Sequence, residues 1–169
     1  MTRPIPFRSV NRRGQPGYCR DMQRHHLLPR GLLSRRPREK MLELLDPRRL
    51  GIEDFRRNGL LLPCEEAEAQ RTGLPLHRGP HPAYDAMVAD RLGAIEAQWA
   101  QRRRRHPKLA ALNARLRIAL LQRNLRTQLL SQSPPPLNLQ PNRPIGTNRD
   151  FSDLDAMAQR LWDGDQAAS

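Results

Sequence analysis

Two histidines stand side by side in the stretch Arg24-His25-His26-Leu27-Leu28-Pro29. A second stretch, Gly73-Leu74-Pro75-Leu76-His77-Arg78-Gly79-Pro80-His81-Pro82-Ala83-Tyr84, carries two more, spaced His-x-x-x-His. Imidazole can move a proton near neutral pH and can also hold a metal ion through an unprotonated nitrogen. Adjacent residues of an extended segment point to opposite faces, so one member of the pair can ligate a cation while the other acts on a substrate. His77 and His81 can complete a metal site. Four of the five histidines fall in these two stretches, and convergent titratable groups are what a reactive site requires. Phosphodiester hydrolysis needs such a set: a base for water, a cation for charge on the phosphate and leaving oxygen, and a frame that holds both. The fifth, His106, lies between an arginine run and a proline and reads as surface.

The elements that must position these groups are short until residue 81. Leu27-Leu28-Pro29 suggests an extended segment ending in a turn. A helical pattern runs from Pro37 to Leu45, with Met41, Leu44 and Leu45 on one face, and Asp46-Pro47 stops it. Gly51 to Phe55 reads as a turn or a helical piece. Asn58-Gly59 is a turn signal before the apolar run Leu60-Leu61-Leu62-Pro63, which predicts half of a hairpin. Cys64 to Thr72 is an acidic connector, and Gly73 to Leu76 a second brief extended piece.

A long helix starts at His81-Pro82, since proline suits a first helical turn. Its apolar stripe is Met87, Val88, Leu92, Ile95 and Trp99, with Asp85, Arg91, Glu96 and Arg102 opposite. Pro80 and Pro82 put His81 at the helix start and His77 in the loop before it. A second helix spans Pro107 to about Ser131, with Leu109, Leu112, Leu116, Ile118 and Leu120 available to pack antiparallel against the first. Ser133 to Pro144 is a stiff proline-rich linker, and Ser152 to Trp162 a last amphipathic helix.

Composition narrows the partners. The 169 residues carry a formal net charge of +13, with 37% hydrophobic and only 4% aromatic residues, which points to one modest domain with a small core plus extensions. Such charge attracts polyanions: nucleic acid first, then an anionic membrane surface or an acidic protein. The cations are arginine except Lys40 and Lys108, and the guanidinium fork suits phosphate. Cys19 and Cys64 make no disulfide framework and fit a reducing compartment. The start of the chain has no signal-peptide pattern and no stretch approaches a membrane span, so the expected location is the cytoplasm, or export by a dedicated machine.

The order His-His, then Asn-Gly and an apolar run to proline, then His-Arg-Gly-x-His-Pro-x-Tyr resembles the AHH family of nucleases in the His-Me finger (HNH/endonuclease VII) superfamily. The likeness covers roughly residues 18 to 100, with Arg24 where the family motif has alanine. It implies an α+β fold: a ββα-metal core, a C-terminal helical hairpin, and the proline-rich linker to a last short helix. The organisation expected is a basic arm over 1–17, the nuclease domain over 18–105, a basic helix packed on it over 106–132, and the linker with an acidic helix over 133–169.

The same resemblance, to colicin-type relatives, implies His25, His77 and His81 as metal ligands and His26 as general base. Asn58 matches the asparagine that steadies the loop or the base, and Tyr84 reads as packing. Arg24 and Arg78 are candidate phosphate clamps, and the run Arg102, Arg103, Arg104 and Arg105 a grip on backbone phosphates. The implied cofactor is one divalent cation, Mg2+ first, with Zn2+, Ni2+ or Mn2+ as alternatives. The implied activity is hydrolysis of DNA, RNA being second, in the setting of a bacterial toxin or effector with an immunity protein as partner. Two other classes fit the charge: a non-catalytic nucleic-acid-binding protein, and an interaction module for an acidic partner.

Overall fold

A computed structural model describes residues 3–34, 36, 38–131, 139 and 156. The sheet is one antiparallel pair, β1 (Met22–His26) and β2 (Gly59–Pro63), in which His25 lies opposite Leu60 and His26 opposite Gly59. Four short helices lie between the strands: α1 (Arg30–Leu33), α2 (Arg38–Leu44), α3 (Pro47–Leu50) and α4 (Phe55–Asn58). After β2 come α5 (Glu66–Thr72), α6 (Pro82–Arg102) and α7 (Pro107–Leu130). A two-stranded ribbon is marginal alone in water. Here Leu27, Leu28, Leu60 and Leu62 join one buried cluster with Tyr84, Val88 and Leu92 of α6 and Ile118, Leu125 and Leu129 of α7. The fold is mixed α and β. Among the described residues, no helix is long and apolar enough to cross a membrane.

Several local expectations change. Asn58-Gly59 is not a tight hairpin turn: Asn58 ends α4, and Gly59 is extended at φ −121°, ψ 150°. The partner of β2 is β1, far earlier in the chain. Glycine is needed at 59 for another reason, since a Cβ there would collide with the Phe55 ring. Asp46-Pro47 ends α2 and also begins α3: the Asp46 carboxylate accepts from the Arg48 N–H at 3.1 Å, with Pro47 in the first turn. The acidic connector is a helix, α5, closed by Gly73 at φ 67°. Gly73 to Leu76 forms no strand.

The segment before β1, expected as an extended arm, is tied down at its start. The Ile5 N–H donates to Asp54 Oδ1 at 3.0 Å, the Phe55 N–H to the Ile5 carbonyl at 2.8 Å, and Phe7 is buried. The long helices match expectation in extent and in the α6 face: Val88, Leu92, Ile95 and Trp99 are buried, and Met87 packs at the edge. Gln98 and Arg117 hydrogen-bond across the antiparallel pair. On α7, however, Leu112 and Leu116 are exposed, and the buried stripe is Ala110, Ala114, Ile118, Leu121, Leu125 and Leu129. The proline-rich linker and last helix lie outside the described residues, except Leu139 and Ala156. Leu139 is buried and forms an isolated parallel bridge with His77.

Candidate metal centre

Alternation along β1 separates the two histidines. His25 turns inward, 2% exposed, while His26 at the strand end is half-buried on the other side. His77 enters from the loop after α5, its N–H donating to the Pro63 carbonyl at 2.8 Å as an extension of β2. His81 comes from the N-cap position of α6. A strand and, 52 residues later, a loop that runs into a helix start thus deliver three imidazoles to one point.

Their nitrogens nearly touch. His25 Nδ1 lies 3.2 Å from His77 Nε2, which lies 3.3 Å from His81 Nε2. One donor atom from each residue falls within 4.8 Å of the other two. Two nitrogens bound to one tetrahedral ion at about 2.0–2.1 Å stand about 3.3–3.4 Å apart. Without an ion, His77 Nε2 faces two neighbours with the capacity for one hydrogen bond. The spacing and the donor chemistry both fit a shared cation.

The electrostatics agree. Burial, with the neighbouring imidazoles His77 and His81, lowers the His25 pKa to about 2. Burial, with His81 beside it, lowers His77 to about 4. Both rings are therefore neutral at physiological pH, with lone pairs available to a metal. His81 Nδ1 pairs with Asp85 Oδ1 at 2.9 Å, one helical turn on, which fixes Nε2 as the inward nitrogen and makes the ring a better donor. On sequence Asp85 reads only as part of the polar face of α6. The signal was there, since His81 and Asp85 are four apart on a helix.

Tyr84 is packing, as expected. It is buried, its hydroxyl donates to the Leu27 carbonyl at 2.7 Å, and its ring meets His25 and His81 edge-on at 5.1 and 5.3 Å. Burial pushes its phenol well above the ordinary value, so it stays a neutral donor.

His26 lies outside this cluster. Its ring stacks on Phe7, with centroids 3.8 Å apart and planes 3° from parallel, and Phe7 meets Phe55 edge-on at 5.2 Å. Its Nε2 is covered and has no hydrogen-bond partner among the described residues. Burial first, then the nearby Arg30 charge, lowers its pKa, keeping the ring neutral. Asn58 is wholly buried, and among the described residues its side chain makes no hydrogen bond to His26 or to the cluster. Its Oδ1 accepts from the Leu28 N–H at 2.9 Å and from Gln122 Nε2 at 3.4 Å, and its Nδ2 donates to the Ile52 carbonyl at 3.0 Å. Those contacts hold the chain leaving β1 against the chain entering β2. Asn58 steadies the loop.

The arginines are dispersed. Arg24 Nη1 donates to the Phe7 carbonyl at 2.9 Å. Arg78 is held by Glu65 and Glu66, each at 3.3 Å, and by the Cys64 carbonyl. Arg102 closes α6, and Arg103 lies over the Trp99 ring at 4.4 Å. Arg102 to Arg105 sit at the far end of a 21-residue helix that begins at the histidines, about 30 Å away at 1.5 Å per residue. Phe7 was missed. Its only sequence signal was an aromatic ring in a chain with 3 phenylalanines.

No curated protein and no solved structure matches the chain. A family model does match, over residues 6–124, well over half of the chain and reaching from the Phe7 segment into α7: AHH, a nuclease family of the HNH/endonuclease VII superfamily with conserved AHH. The paired histidines of β1 stand where that motif is expected, with Arg24 in place of its alanine. With His77 and His81 gathered against His25 of that pair, and the family model spanning well over half of its length, the chain belongs to the AHH family of nucleases.

Proposed function

We propose that this nuclease is a divalent-metal-dependent endonuclease acting on DNA in preference to RNA, with β1, β2 and the start of α6 as its ββα-metal core. The reading is carried by one observation: three imidazoles spaced for a shared ion, one of them His25 next to His26 on β1, converge on one point. His25, His77 and His81 would hold the cation, and Asp85 would orient His81. A bound cation supplies Lewis-acid stabilisation of charge on the phosphate and the leaving oxygen. Three imidazole donors suit Zn2+ or Ni2+ better than Mg2+, which prefers oxygen, so the order expected from sequence is reversed.

His26 is the general base, taking a proton from water at a ring nitrogen. The water oxygen bonds to phosphorus, the phosphorus–oxygen ester bond breaks, and the leaving oxygen gains a proton from solvent. Phe7 holds the imidazole plane during this transfer. The reading extends to a delivered toxin restrained by an immunity protein, for which growth arrest on expressing wild type but not His26→Ala is the expected result.

The test is cleavage of plasmid DNA and of RNA across Zn2+, Ni2+, Mn2+ and Mg2+, with a chelator control. Cleavage by wild type in at least one cation, lost in His26→Ala, is expected. DNA binding without cleavage in any of them would make the chain a non-catalytic binder.

A further inference from the structure

The side of β1 that carries His26 opens on a cleft of ≈ 620 Å³ lined by Phe7, Arg8, Arg30, Pro47, Arg48 and Glu53 among others. Its lining connects it to His26: Phe7 stacks on that ring, and the charges of Arg30 and Glu53 are felt there. The cleft lies in the size range of sites for small ligands. Its walls join two segments remote in sequence, residues 4–8 and the turns around α3, held together by the Asp54 contacts with Ile5.

Its charges are unevenly matched. Asp54 accepts from the Ile5 and Arg56 N–H groups and pairs with the Arg56 guanidinium at 3.7 Å. Glu53 faces Arg30 at 3.8 Å. Arg8 and Arg48 are exposed, and neither has a carboxylate partner among the described residues. Two arginines without a carboxylate partner among the described residues therefore line the cleft together with Pro4, Pro6, Pro47 and Phe7. That pairing of surfaces suits a nucleotide, with phosphate on the guanidinium forks and the sugar or base against the exposed prolines Pro4, Pro6 and Pro47. By contrast Arg78 is occupied by two glutamates, and Arg102 to Arg105 are a helix length away.

We propose that this cleft seats the nucleic-acid strand beside the scissile phosphate, with Arg8 and Arg48 gripping its backbone. The proposal rests on the nuclease reading above, and it replaces Arg24, Arg78 and the α6 terminus as the principal phosphate contacts. An acidic protein seated in the same cleft is the competing occupant.

Binding of a short fluorescent DNA strand, and of its duplex, to the full chain in chelator tests this without turnover. Arg8→Gln/Arg48→Gln should weaken binding about tenfold or more and reduce the slope of log affinity against log salt by about 1.4 to 1.8, since each phosphate contact contributes about 0.7 on single strands and 0.9 on duplex. Arg12→Gln/Arg123→Gln removes the same charge from exposed positions outside the cleft and should change affinity less than about threefold by general attraction alone. All four side chains are exposed, so the melting temperature should hold. Equal losses in the two double variants, no loss in either, or no binding of DNA by wild type would each overturn the proposal. The nuclease reading fails separately: a wild type that binds through Arg8 and Arg48 yet cuts in no cation keeps the cleft and loses the enzyme.

Discussion

The two sides of β1 carry the same side chain and almost nothing else in common. On the inner side His25 sits among imidazoles, closed in by Tyr84, with its pKa far below the ordinary range. On the outer side His26 lies flat against Phe7, which in turn lines a cleft shared with Arg8, Arg30 and Arg48. One residue of strand alternation is the whole cause of the difference. A pair of identical residues needs no difference in type to divide two tasks, only a backbone held extended and two unlike surfaces packed against it.

Substitutions at the pair test that division first. His25→Ala should abolish stoichiometric binding of Zn2+ or Ni2+ by calorimetry, and cleavage with it. His26→Ala should keep metal affinity within about twofold while cleavage falls about 10²- to 10⁴-fold, the range of general base catalysis. If the two variants lose metal equally, the two faces are not functionally distinct. Next, Asp85→Asn removes the carboxylate behind His81 and should weaken metal binding about 10- to 100-fold without disturbing the far-ultraviolet circular dichroism.

Asn58→Ala tests what keeps both faces in register. It leaves the Leu28 N–H and the Ile52 carbonyl buried without their partner, so unfolding free energy should drop by about 3 kcal/mol, read from denaturant melts. A loss under about 0.5 kcal/mol would mean that the loop is held elsewhere. The smallest effect belongs to Phe7→Leu. It keeps the apolar cover but removes the stacking, worth about 0.5–1.5 kcal/mol, so cleavage should fall less than about tenfold with metal affinity unchanged.

Much of the site was legible because its signals are local or ordered. The histidine positions, the start of α6 at Pro82 and its buried stripe all follow from spacing and proline chemistry. The packing face of α7 did not, and the reason is its richness in leucine. Leu109, Leu112, Leu116, Leu120, Leu121, Leu125, Leu129 and Leu130 surround the helix, so hydrophobicity alone selects no face. The neighbour decides: Ala110 and Ala114 let α7 come close where Trp99 and Ile95 of α6 need room.

The pairing of β2 was hidden for a different reason. Asn58-Gly59 carries turn chemistry, but Asn58 is spent on buried hydrogen bonds and Gly59 makes space for Phe55. A dipeptide cannot say which distant strand its neighbour joins. The role of Phe7 was equally non-local, depending on a contact between a proline-flanked segment and a strand end.

The three inward imidazoles come from a strand, a loop and a helix start, and that origin would couple a bound ion to the fold as a whole. Whatever occupies the cluster binds an arrangement that the unfolded chain lacks. Thermodynamic linkage then makes the cation a ligand of the native state, stabilising it by RT ln(1 + [M]/Kd), about 2.7 kcal/mol at a hundredfold excess over Kd. Melting temperature should rise with added Zn2+ in wild type, fall on chelation, and not respond to either in His25→Ala. With the proposed ion in place, the chain's working stability would be set in part by how much free metal its surroundings contain.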